Sequence, residues 1–229
     1  RSQQVENPIW RTTTLGDSLG YYNSPFKIYF KAGINTIRLI SLAEPIAIDY
    51  LKLFQEKEPK PYPEVIDTYE ANNYVPVQDF FTKIQGEDAI YRSSKSVFPI
   101  FDKGDPTIEP YHTSQIRLNS IGGYRWRKPG EWITWKFEVP EDGLYQIALK
   151  SKQDQQRGVP SYRKITIDGK VPFSELESIL FNYSQYYEMR LLGKKVYDEG
   201  FLFYLKEGTH EISLNVILGD LAQYIRQIE

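Results

Sequence analysis

Three consecutive side chains, Tyr124, Arg125 and Trp126, follow a pair of glycines and precede a run of alternating residues. A second aromatic and amide group, residues 182–187, falls in a stretch without periodicity. Flat aromatic rings on loops can lie against the apolar face of a sugar ring, while Arg and Asn donate hydrogen bonds to its hydroxyls. The two groups together predict a sugar-binding surface made by Tyr124, Arg125, Trp126, Asn182 and Tyr186. The alternative is that these aromatics cover an edge of the sheet or a seam between domains.

The sequence contains few of the residues and motifs that are typical of metal sites, nucleotide sites or enzymes. The chain has 229 residues, no cysteine and two histidines, His112 and His210, neither of which has a partner at zinc-ligand spacing. Glycine-rich loops for phosphates or dinucleotides and the Gly-x-Ser-x-Gly nucleophile motif are missing. None of the 30 acidic residues stands out as part of a catalytic carboxylate pair. We therefore predict a binding protein and not an enzyme.

The charges nearly balance, because 28 Lys and Arg face 30 Asp and Glu for a net charge of -2. A nucleic-acid-binding protein generally needs a clustered basic excess, so this balance argues against that function. Five basic residues would favour an acidic polysaccharide if they gathered on one side, and otherwise form a solvated, ion-paired face: Arg125, Arg127, Arg157, Arg163 and Lys164. No stretch approaches the roughly 18 apolar residues of a transmembrane helix.

Strands are expected to position these groups, because apolar residues recur with a period of two. Along residues 133–139, Ile, Trp, Phe and Val occupy the odd positions, and a Pro-Glu-Asp-Gly turn follows. Helical patterns are limited to residues 64–70 and one turn at 174–177. Short strands at this spacing predict an all-β sandwich or barrel with few short helices. Further strands, separated by turns, are predicted at residues 144–150, 165–167, 201–205 and 212–218.

An internal repeat divides the chain. Residues 26–33 match residues 201–208, since both contain an aromatic strand followed by a Lys-x-Gly turn. The second copy has far more sequence before the match, so the first domain is expected to hold only its closing strands. Isolated strands leave open edges, so this first part needs to pack on the second or on a missing half. We predict the C-terminal part of a first β-sandwich module at 1–54, a Pro-rich linker with a short helix at 55–79, and a complete module at 80–229.

Residues 121–132 and the Val-Pro-Glu-Asp-Gly-Leu-Tyr turn at 139–145 resemble carbohydrate-binding modules of the galactose-binding-like jelly-roll type. Residues 84–88 are similar to the first strand of those modules. The resemblance implies a jelly-roll β-sandwich that binds carbohydrate without catalysis. It also implies a structural Ca²⁺ near Glu87 and Asp88, although the closing stretch at 221–227 offers no further acid.

A closer likeness covers almost the whole chain. Residues 16–22, 85–89, 121–126 and 167–173 look like the tandem accessory domains of large extracellular solute-binding proteins of sugar ABC transporters in Gram-positive bacteria. This implies an extracellular, cell-surface-associated protein of sugar uptake. Its partners would be an oligo- or polysaccharide, and the missing half of the first module or a solute-binding domain. Two alternatives remain open: a structural spacer or docking sandwich without a sugar site, and an accessory module of a polysaccharide-degrading enzyme.

Overall fold

The computed structural model describes residues 10, 12–22, 24–42, 46–55, 57–194 and 196–228. In these ranges the helices are α1 (Tyr62–Ala71) and α2 (Leu221–Ile228), and neither is long and apolar enough to cross a membrane. The strands are β1 (Tyr91–Arg92), β2 (Pro99–Ile100), β3 (Ser120–Ile121), β4 (Trp132–Val139), β5 (Gly143–Gln146), β6 (Ala148–Gln153), β7 (Ser161–Ile167), β8 (Ile179–Phe181), β9 (Ser184–Leu191), β10 (Leu202–Leu205) and β11 (Gly208–Ile217).

The larger sheet has five antiparallel strands in the order β1-β4-β11-β7-β8. The alternation predicted along β4 is confirmed at its two ends, since Ile133 is 0% and Val139 2% exposed. Thr134 is also buried, because its hydroxyl shares a 2.6 Å hydrogen bond with that of Ser213 on β11. Polar pairing thus lets one threonine occupy the interior of the sheet.

A second layer lies opposite, formed by the strand pairs β5–β10 and β6–β9. β5 and β6 are two parts of one extended segment, interrupted at Ile147, whose carbonyl accepts the Leu192 N–H at 3.0 Å. The protein is an all-β sandwich of the jelly-roll type, as predicted, because one buried cluster draws side chains from both layers. Its members include Ile165, Ile212 and Leu214 from the larger sheet and Phe203 and Leu205 from the second layer.

Helix α1, predicted from residues 64–70, packs into this sandwich. Tyr62 at its start is buried, and its ring centroid lies 4.8 Å from that of Phe173 and 4.7 Å from that of Phe201. The Tyr62 hydroxyl accepts the Leu202 N–H at 2.9 Å, and the Glu175 carboxylate accepts the Tyr62 N–H at 2.9 Å. That carboxylate satisfies one of the free N–H groups at the helix start. The segment predicted as a linker therefore contributes a residue to the hydrophobic core.

The repeat predicts strands in the first part of the chain, but the described residues between 12 and 55 form none. Residues 26–33 match β10 and the turn that follows it. An isolated strand is unstable in water, and among the described residues no strand pairs with residues 26–33, although the Phe26 N–H donates to the Leu15 carbonyl at 2.8 Å. The Arg226 guanidinium donates to the Tyr21 carbonyl at 2.8 Å and so links this part to α2. The division of the chain into two modules stays a prediction.

Two further segments are not strands. Residues 84–88, likened to a first strand, contain a 3-10 turn at Gly86–Asp88. There the Asp88 N–H donates to the Gln85 carbonyl at 3.1 Å, and the Trp135 indole N–H donates to the Gly86 carbonyl at 2.9 Å. Both bonds use backbone groups that a strand would offer to a neighbour. The closing stretch at 221–227 lies within helix α2.

Candidate functional site

The loop that carries Tyr124 is a 3-10 turn held by two glycines. Gly122 and Gly123 have φ angles of 95° and 58°, in the left-handed region that favours glycine. A Cβ atom on Gly122 would lie 3.0 Å from the Trp126 side chain. The turn closes through the Trp126 N–H, which donates to the Gly123 carbonyl at 3.1 Å. The two glycines noted in the sequence therefore allow the loop to fold tightly over the indole.

Trp126 serves this loop as an anchor. Its ring is half-buried against the core cluster, and the Arg163 guanidinium lies 4.3 Å from the ring centroid. Arg163 also donates to the Trp126 carbonyl at 3.0 Å. Burial lowers the pKa of Arg163 to about 10, against the opposing effect of the Glu131 carboxylate. These contacts favour the structural alternative for Trp126, because its indole is half-buried against the core cluster.

Tyr124 is the exposed member of the predicted triplet, with 57% of its surface accessible. The Arg127 guanidinium lies 4.0 Å from its ring centroid, and the Arg125 guanidinium lies 4.7 Å from that of Phe98. Both arginines are exposed, and their stacking on rings restricts their movement. The loop therefore presents a flat ring beside two oriented groups of hydrogen-bond donors.

Asn182 and Tyr186 are also exposed. Asn182 connects β8 to β9, and Tyr186 on β9 is 65% exposed. Within the described ranges, no hydrogen bond or ring contact joins either residue to the loop that carries Tyr124. Phe181, just before Asn182, pairs with Ser161 at the start of β7, and Tyr187, just after Tyr186, contacts Ser120, just before the Tyr124 loop. The single sugar-binding surface stays a prediction.

A polar network at β9 was not foreseen from the sequence. Asp102 forms an ion pair with Lys152 and accepts the Tyr187 hydroxyl at 3.3 Å, while that hydroxyl also lies 2.9 Å from the Ser120 hydroxyl. Burial opposes the charge of Asp102, but the hydrogen bonds from Lys152 and the Gly104 N–H outweigh it and lower its pKa. The network fixes β9 to the segment of Asp102 and to β3. Both are far from β9 in sequence, so no spacing pattern reveals the network.

Glu87 and Asp88 lie together on the 3-10 turn. Burial raises the pKa of Glu87, whose Oε2 has no hydrogen-bond partner, while Asp88 is exposed. Calcium prefers about six to eight oxygen ligands. No group of three or more His, Asp or Glu side chains in the described part of the chain is placed to hold a metal ion. These residues do not fit the calcium site that the resemblance implies.

An open cleft of about 360 Å³ lies at the end of the sandwich opposite the Tyr124 loop. Its walls come from α1, the end of β7, and the β10–β11 turn, with Tyr69, Asp168 and Lys206 among the lining residues. The Tyr124 loop instead adjoins the start of β7 and the end of β11, where the Gly130 N–H donates to the Val216 carbonyl at 2.9 Å. The two ends are thus separate places on the protein.

No protein-family model and no curated protein matches this chain. Among solved structures, a family 35 carbohydrate-binding module from Clostridium thermocellum is similar over 58% of this chain and 83% of that chain, with 16% identity and a TM-score of 0.40. A ruminal GH26 endo-β-1,4-mannanase is similar over 60% of this chain, with 18% identity and a TM-score of 0.36. A Paenibacillus sp. cycloisomaltooligosaccharide glucanotransferase is similar over 70% of it, with 17% identity and a TM-score of 0.41. The similar regions span 24% and 21% of those two enzymes.

Proposed function

We propose that this protein binds carbohydrate without catalysis and that the loop around Tyr124 is the contact surface. The observation that carries the proposal is the exposed Tyr124 ring on a turn anchored by Trp126 and Arg163. A ring on an anchored turn loses little conformational freedom when a ligand docks. This preorganisation favours binding of a flat, weakly hydrophobic surface such as a sugar ring.

The division of roles follows from the geometry of the loop. Tyr124 supplies the apolar face against which the C–H groups of a pyranose ring pack. Arg125 and Arg127 have guanidinium groups that donate hydrogen bonds and accept none, so they select sugar hydroxyl or carboxylate oxygens around that ring. Asn182 and Tyr186 are exposed polar and aromatic groups that would contact a longer saccharide.

We propose two biological settings for this activity. In the first, the chain belongs to an extracellular, surface-associated protein of sugar uptake, and its first part pairs with further strands of a β-sandwich module or with a solute-binding domain. In the second setting, it is an accessory module of a polysaccharide-degrading enzyme. The exposed apolar side chains of residues 12–55 also favour a third role, a docking sandwich that binds a protein partner through that part.

The test of the proposed function is a glycan array followed by calorimetry with the saccharides that bind. We expect Tyr124→Ala to weaken binding by about tenfold, which is about 1.4 kcal/mol and is typical of a lost aromatic contact. The matched control is Tyr29→Ala, because Tyr29 is 87% exposed and lies in the part without strands. A protein that binds no glycan would refute the proposal, and an unchanged affinity of Tyr124→Ala would place the site elsewhere.

A further inference from the structure

The cleft at the α1 end of the sandwich has an apolar floor and aromatic walls. Phe203 and Leu205 on β10 are buried beneath it, at 1% and 4% exposure. Tyr69 and Tyr204 stand above them with ring centroids 6.4 Å apart and planes inclined by 47°. The Tyr204 ring is fixed in position because it stacks on the Tyr74 ring, with the two ring centroids 3.8 Å apart. The cleft therefore offers a fixed apolar surface to a small ring.

The Tyr69 and Tyr204 hydroxyls are tied to different partners. The Tyr69 hydroxyl accepts the Tyr204 N–H at 3.4 Å and keeps its own proton for another acceptor. The Tyr204 hydroxyl donates to the Asp142 carboxylate at 3.3 Å, away from the ring of Tyr69. Tyr69 is thus the tyrosine that can still donate to a bound group.

The charges of the cleft are mainly positive. Lys170 and Lys206 line it, are exposed, and form no ion pair with any described residue. The Asp168 carboxylate is already used, because it accepts the Glu211 N–H at 2.9 Å and lies 2.6 Å from His210 Nδ1. His210 Nε2 lies 2.7 Å from the Lys206 carbonyl, so both ring nitrogens face acceptors, as in an imidazolium. The cleft therefore has two unpaired ammonium groups beside one neutralised carboxylate.

We propose that this cleft binds a small organic anion with one flat apolar ring, in which the ring packs on the apolar lining beside Tyr69 and Pro172 and the anionic group meets Lys170 and Lys206. The volume of about 360 Å³ falls in the range of small-molecule sites. An apolar floor excludes water from the ring, and charge complementarity orients the anion at the rim. The site goes beyond the proposed function, because it lies at the other end of the sandwich and requires a different ligand.

The proposal is tested with phenylacetate, which joins a carboxylate to a phenyl ring. Binding is followed by NMR chemical shifts, with the His210 ring and the residues of β10 as local reporters. We expect saturable shifts at these reporters and a Kd raised at least about threefold in the double variant Lys170→Gln, Lys206→Gln, as for two lost exposed charge contacts. The uncharged analogue 2-phenylacetamide should bind more weakly to the unaltered protein.

The matched control is Lys128→Gln, which removes an exposed lysine at the opposite end of the sandwich and should leave the Kd unchanged. Both substituted lysines of the cleft are exposed, so the double variant is expected to fold, and its thermal unfolding verifies this. The proposal is overturned if phenylacetate produces no saturable shift at the cleft, or if the double variant binds it as tightly as the unaltered protein. Loss of glycan binding in Tyr124→Ala leaves this result unaffected.

Discussion

Residues 26–33 and 201–208 have the same pattern of side chains but different environments. In the second copy, Phe201 and Phe203 are 2% and 1% exposed, and β10 pairs with β5 from Leu202 to Leu205. In the first copy, Phe26 and Ile28 at the matching positions are 55% and 59% exposed, and no strand forms in the described residues there. This pattern therefore encodes one half of an interface and becomes a strand only where a partner strand lies beside it.

The turn that follows behaves differently, because its contacts are local. In the second copy, His210 Nε2 lies 2.7 Å from the Lys206 carbonyl. In the first copy, Asn35 Nδ2 donates to the Lys31 carbonyl at 2.8 Å across the same number of residues. A side chain four residues away can thus close the turn in either copy, whereas the strands need partners from distant sequence. The turn is therefore the part of the repeat that forms without the rest of the module.

Amide hydrogen exchange gives the largest expected contrast between the two copies. We expect amides of β10 and β11 to exchange on the order of 10³-fold or more slowly than those of residues 26–41, because only the former open with the whole sandwich. Exchange monitored by mass spectrometry checks this. Comparable protection of residues 26–41 would mean that the first copy forms stable strands in solution.

Substitution of the matching phenylalanine in each copy compares what the two positions contribute to the free energy of unfolding. Phe201→Ala removes a ring packed on Tyr62 and Phe173, so it should lower the free energy of unfolding by about 3–5 kcal/mol. Phe26→Ala at the matching exposed position should change it by less than about 0.5 kcal/mol. Denaturant titration measures both. Equal losses would contradict the view that the first copy makes no part of the core.

The smallest expected loss of stability within the second copy concerns the turn. There His210→Asn introduces the residue that the first copy has at the matching position, Asn35. Burial opposes the charge of His210, but the Lys206 carbonyl and the Asp168 carboxylate outweigh it and raise its pKa. The stability that this charge contributes is therefore fully present below the unfolded pKa of about 6.5 and is lost as the pH rises through the folded value. We expect a loss of about 1 kcal/mol at pH 6 that shrinks at pH 9. A loss independent of pH would show that the imidazole acts without its charge.

The sequence predicts what short-range patterns determine. Alternation predicts β4, the Asp168-Gly169 pair predicts the turn after β7, and the acidic start of residues 64–70 predicts α1; the structure confirms all three. The polar network of Asp102 and Tyr187 and the α1 cleft join elements that are distant in sequence, so no local spacing encodes them.

The attachment of Tyr62 has a mechanical consequence. Its ring is buried against three others, and the Ser174 N–H donates to the Lys60 carbonyl at 2.9 Å just before it. Tension applied through residues 12–55 therefore reaches the sandwich at this position as well as at the weaker contact of Arg226 with Tyr21. Force along the chain would act directly on β10 and on the segment around Phe173, and not only on a flexible linker. The first turn of α1 is thus a fixed point of attachment between the preceding residues and the core of the sandwich.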